Sequence, residues 1–201
     1  MANVIKEGGL RLKTAAVEQP LEICVHASDD TVRLGVGDPV KVAGTSAQLV
    51  GGPYAQTVAL CASGDAVYGV VQGVVPLSVA SASFNLDKRY AVASTAVYVS
   101  VRPANPYDVY AITNDGTLAV TSVGMNADIT GNGGGTTVTE CNTATGMSTV
   151  MLDTSTAAAG AGTLKIIGFE DTADNTAGGA NSSVYVRINE TAIVGAGSNG
   201  V

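Results

Sequence analysis

Apolar and polar residues alternate one by one through most of this chain, and no window sustains the three-to-four-residue spacing of a capped helix. The clearest case precedes the midpoint. Val97, Val99 and Val101 point to one side of a strand whose other side carries Tyr98, Ser100 and Arg102. Pro103 and Pro106 must end that strand, because neither donates a ladder hydrogen bond and each disfavours helix in the residue before it. Extended structure resumes over residues 107–113, and Asn114-Asp115-Gly116 reads as a tight hairpin turn supplied with positive-φ residues. The Pro-Ala-Asn-Pro corner is therefore the expected domain boundary.

The first half holds six or so short strands. Leu21, Ile23 and Val25 alternate with Glu22, Cys24 and His26, and the turn Gly35-Val36-Gly37-Asp38-Pro39 leads to Val40 and Val42, expected to face a core with Lys41 outside. Gly69, Gly73 and Pro76 interrupt the apolar run 66–77, which suits a bent or bulged strand in a small barrel. Beyond the corner, strands are expected at 125–129, 136–141, 149–152, 164–169 and 184–189, with a glycine loop at 131–135 and a polar loop at 171–179. Asp153 is placed to cap a brief helical turn in the small residues 155–159. The prediction is an all-β fold: an extended arm (1–19), a β domain (20–102), a second β domain (107–194) and a flexible tail (195–201), each domain a small β-barrel or β-sandwich.

The arm is broken at Gly8-Gly9, and Lys6, Arg11 and Lys13 outnumber Glu7 and Glu18. With few apolar anchors, it is expected to be disordered or to be ordered by a partner, Leu10 and Leu12 seating it as an added strand on another sheet. Val109, Tyr110, Ile112 and Tyr107 put large or apolar groups on both faces of one strand, which fits a subunit contact or burial in a two-layer core.

Charge sharpens the division. Residues 1–102 carry eight basic and eight acidic residues and balance, while residues 103–201 carry two basic and nine acidic and hold the whole net charge of −7. An acidic half repels nucleic acid and anionic membrane, so neither is an expected partner. No apolar run approaches the roughly 18 residues of a membrane span, and the charged start lacks the apolar core of a signal peptide, so synthesis in a cytoplasm is expected. Cys24, Cys61 and Cys141 form no C-x-x-C and are odd in number, which reads as idle thiols.

Candidate chemistry is thin. Glu22, Cys24 and His26 share a strand face, but side chains two apart on a strand are badly placed for proton transfer, so a surface histidine is expected. Asp29-Asp30 and Glu170-Asp171 with Asp174 lack the spacing of calcium loops, and no P-loop or nucleophile elbow is present in the sequence. With 4% aromatics there is little material for a stacking site. The residues thus point to no catalytic, cofactor or metal site.

The phrases VRPANPYDVYAI, SVGMNADI, TGMSTVMLDTSTAAA, LKIIGFEDT and VYVRIN, spread over residues 101–189, resemble head decoration (cement) proteins of tailed bacteriophages of the podovirus-like and marine type. Over the first hundred residues the likeness is one of style, a glycine-containing arm before a small β-domain with a G-x-G-D-x-V turn, here Gly35 to Val40. The resemblance implies a non-catalytic virion protein on the outer surface of the capsid. It would bind the major capsid protein, often as a homotrimer, and stabilise the expanded head. On that reading Lys6, Leu10, Arg11, Leu12 and Lys13 form the capsid-binding arm, Tyr107, Val109, Tyr110 and Ile112 a subunit interface, and the acidic half faces outward. Deleting the arm should then leave a folded body that no longer binds heads. Competing readings are a tail or spike component, a receptor- or carbohydrate-binding module using loops 131–135 and 171–179, and a hydrolase built on Cys24 or His26.

Overall fold

The computed structural model describes residues 3, 6, 8–48, 52–78, 89–131, 140–170 and 172–192. Its first strand, β1 (Arg11–Thr14), joins a sheet whose other members come after the corner. The next five, β2 (Glu22–His26), β3 (Pro39–Gln48), β4 (Tyr54–Leu60), β5 (Gly69–Ser78) and β6 (Val97–Pro103), close into a barrel in the order β2-β4-β3-β5-β6. Neighbours are antiparallel except β2 and β4, which run parallel. Cys24, Leu34, Val40, Val58, Val71, Val97, Val99 and Val101 fill the interior. The register of β5 against β6 slips between Val71 and Gly73, the bulge that the interrupted apolar run predicts. Closure removes the free edges that a five-stranded open sheet would leave.

After the corner come β7 (Val109–Thr113), β8 (Asn126–Ala127), β9 (Ile129–Thr130), β10 (Met151–Leu152), β11 (Leu164–Phe169) and β12 (Ser183–Ile188). An antiparallel sheet runs β1-β7-β12-β11-β8, and β9 and β10 form a separate two-stranded ribbon. The protein is all-β, with only two single-turn 3₁₀ segments among the described residues, Val120–Ser122 and Thr154–Thr156. Asp153 caps the second as expected, accepting the Ser155 amide at 2.9 Å and its hydroxyl at 2.6 Å.

The corner divides barrel from sheet along the chain but not their packing. The core under the sheet gathers Tyr110, Ile112, Leu164, Ile166, Val184, Val186 and Ile188, and takes Cys61, Val67 and Val70 from the first half.

Two local expectations are corrected. Asn114-Asp115-Gly116 is no hairpin turn: none of the three has positive φ, and β7 pairs with β12 and β1 rather than with the strand that follows it. The Asn114 amide instead donates to Gly116 O (2.7 Å) and Gly179 O (3.0 Å), and the Asp115 carboxylate accepts the Thr154 amide and hydroxyl, each at 2.9 Å. The arm is corrected too, for it lies on the chain's own second-half sheet, with β1 paired to β7 and Leu10 fully buried. Most of the strand expected at 136–141, most of the glycine loop and the tail fall outside the described residues.

Candidate interaction surface

The arm is held at several points along its length. Asn3 clips the 176–180 loop, donating to Thr176 O (3.1 Å) and Ala180 O (3.0 Å) and accepting the Thr176 amide (2.6 Å). Lys6 lies 3.6 Å from Glu170 and 3.4 Å from Asp174, while its carbonyl accepts the Thr113 hydroxyl. Leu10 and Leu12 pack on the sheet core, and Arg11 donates to the Ser183 hydroxyl at 3.2 Å. Lys13 meets Glu170 at 2.7 Å. Hydrogen bonds from Lys13 and Ser183 hold the Glu170 carboxyl down at about 2. The residues assigned to a capsid-binding arm are thus brought together, but in a contact within the chain. The signal that could have found this was complementary charge, a basic start against an acidic second half.

The proposed subunit interface is split. Tyr110 and Ile112 are wholly buried beneath the sheet, so two-layer burial is the correct reading for them, whereas Val109 is half-buried and Tyr107 is 69% exposed. Tyr107 projects from the corner because the Asn105 carboxamide oxygen accepts the Tyr107 amide at 2.9 Å, a local turn bond. Beside it the buried Asp108 receives Arg102 Nε at 2.9 Å and the Ala16 amide at 2.7 Å, and Arg102 also donates to Val17 O at 3.0 Å. Arm, barrel and corner are tied at this one ion pair.

Four apolar residues close to that tie in sequence or strand register stay exposed, a patch that sequence reasoning missed. Val17, Leu21, Ile23 and Tyr107 are 59, 51, 44 and 69% exposed. In β2 the alternation is real, but closure turns it over at its start: Cys24 and His26 are fully buried, while Leu21 and Ile23 are left on the outer surface. Ile23 pairs with Ser100 of β6 and Glu22 with Val101, which places Leu21 and Ile23 alongside Arg102.

His26 is buried rather than at the surface. Its Nε2 lies 2.8 Å from Val32 O and 3.4 Å from Asp30, and its Nδ1 lies 3.4 Å from Thr95 O. The Cys24 sulfur accepts from Gln56 at 3.8 Å, and burial pushes its thiol up to about 11. Burial likewise raises Cys141 to about 12 and Cys61 further. A thiol so raised is protonated at neutral pH and is a poor nucleophile. A shallow groove of about 230 Å³ beside Asp29 and Asp30 is lined by Ala27, Ala43, Thr45, Val58 and Ala59. Among the described residues no three His, Cys, Asp or Glu side chains gather to hold a metal ion, and no helix is long and apolar enough to cross a membrane. In the loop after β11, Asn175 points inward, donating to Glu170 O and Ser183 O and accepting the Ser183 amide. Its amide is thereby taken up by the fold.

Comparison of the chain with protein-family models, with curated proteins and with solved structures yields no match.

Proposed function

We propose that this is a non-catalytic virion structural protein of the decoration type, a homotrimer that binds the outer surface of a phage major capsid shell and stabilises the expanded head. The observation that carries the reading is the patch of Val17, Leu21, Ile23 and Tyr107 on a body whose thiols and histidine are turned inward. Four large apolar side chains gathered at the surface are the usual mark of a protein-binding face. Leu21 and Ile23 stand at the outer side of barrel strand β2, and Val17 and Tyr107 flank the buried Arg102–Asp108 pair, so little ordering would be needed on docking. The arm residues first assigned to the shell hold the body together instead, and the docking role passes to this patch.

Cosedimentation with expanded heads tests the reading. The double variant Leu21→Asp, Ile23→Asp alters exposed positions, so it should fold and melt as the parent does while its binding falls at least tenfold. Undiminished binding by the variant, or no binding to heads by the parent, would overturn it.

A further inference from the structure

The Gly-Val-Gly-Asp turn is the point where three distant segments meet. The Gly8 amide donates to Ser148 O (2.9 Å), the Leu10 amide to Gly37 O (3.0 Å), the Val36 amide to Gly146 O (2.9 Å) and the Ser148 amide to Val36 O (2.9 Å). Below the turn, the Gly37 amide donates to Val71 O (2.8 Å) and the Val71 amide to Asp38 O (2.9 Å), fixing the turn to the barrel. Packing is close enough to need glycine: Gly37 has φ +92°, and a Cβ there would overlap Gly8 O. Gly9 and Gly35 are hemmed in likewise, by Ser148 and Gly37 and by Cys141 and Gly146.

At the centre lies Asp38, with no exposed surface. Its Oδ2 accepts the Gly35 amide at 2.6 Å, the Ser148 hydroxyl is its other polar neighbour, and Oδ1 meets no donor in hydrogen-bonding geometry among the described residues. The titratable groups facing it are the Cys61 and Cys141 thiols, both held protonated by burial. Among the described residues no cation forms an ion pair with it: Lys41 is engaged with Asp65 at 2.7 Å and Arg33 with Glu140, while the Arg11 and Arg89 side chains pack beside Gly8 and Gly146. The arm's hydrogen bonds at this point come from the Gly8 and Leu10 amides, and its one charged side chain here, Arg11, packs beside Gly8 and donates to the Ser183 hydroxyl.

We propose that Asp38 is a pH-operated latch: the neutral acid holds the arm closed on the turn and on Ser148, and its ionisation favours a state in which the arm is released and the edge of β7 is uncovered. Desolvation raises the carboxyl to about 7 in the closed state, against an ordinary value near 4 once the junction opens to water. The sign follows. The closed state binds the extra proton, so the latch is tightest below pH ~4, loosens about tenfold per pH unit up to ~7, and levels off above that, a range of about a thousandfold at most.

Amide hydrogen exchange between pH 4 and 8, corrected for intrinsic rates, reads the latch at Gly8, Leu10 and Ser148, with Val186 in the central sheet as reference. Protection at the three junction amides should fall about tenfold per pH unit and then plateau, while Val186 stays level. In Asp38→Asn the three should be flat. A flat profile in the parent protein, or the same fall in Asp38→Asn, overturns the proposal. Should that variant not fold, Ser148→Ala serves: the hydroxyl favours the charged form, so its loss should move the plateau to higher pH, and an unmoved plateau overturns the proposal equally.

Discussion

Glu170 shows how far a single side chain can be read. Its identity as one of a few acidic loop residues is plain in the sequence, but nothing local says that Lys13 and Lys6, more than 150 positions away, reach it. Its lowered carboxyl contributes stability that is complete above pH ~4.5 and is lost as pH falls toward about 2. Glu170→Gln should therefore cost about 1–3 kcal/mol at pH 7 and almost nothing at pH 2, checked by urea unfolding at both. Gly37 is the opposite case, since a turn was legible from Gly-Val-Gly-Asp-Pro alone. The cost of a side chain there comes from Gly8 O and the positive φ, and Gly37→Ala should lose about 2 kcal/mol or more by thermal melting. The three thiols, buried and raised, should resist a maleimide at pH 7.5 in the native protein and react fully in denaturant.

At the scale of elements, β1 and β2 carry the lessons. The alternation of each was legible, because side chains on a strand point to opposite faces whatever the fold. Which face turns inward was not legible for β2: barrel closure buries Cys24 and His26 and leaves Ile23 outside, against the hydrophobic order of the residues. For β1 the partner was illegible. Leu10 and Leu12 look like too few anchors in sequence, yet the sheet and a salt link supply the rest. Removing residues 1–17 should thus not leave an intact body. It takes away the burial of Leu10, about 2 kcal/mol, and four residues of strand pairing, and it bares the edge of β7. The truncated protein should melt several degrees lower and form larger species in size-exclusion chromatography, whereas an unchanged melt would show that the arm contact is dispensable.

Across the whole molecule, the two halves unequal in charge along the chain are not separated in the same way in space. Lys6, Arg11 and Lys13 belong by number to the balanced half but lie on the acidic one. The Arg102–Asp108 pair, both groups shielded from water, joins β6 to the corner and the arm. Breaking a buried pair strands a charge, so Asp108→Ala should cost about 3–5 kcal/mol. Because the pair sits where barrel, corner and arm meet, exchange protection should fall in both halves at once, and loss confined to one would count against a shared core.

What the sequence settled by itself is what backbone sterics and neighbouring residues settle: the all-β class, the strand alternation, the stop at Pro103 and the cap at Asp153. The hairpin at Asn114 failed because turn chemistry permits a reversal without requiring one, and the long-range partners of β7 decide where the chain goes. Tertiary structure alone decided which strand faces turn inward, that the arm serves its own sheet, and that Asp38 sits among three distant segments with no ion-pair partner among the described residues. These depend on closure and on contacts between residues a hundred or more positions apart, whose energies no local window contains.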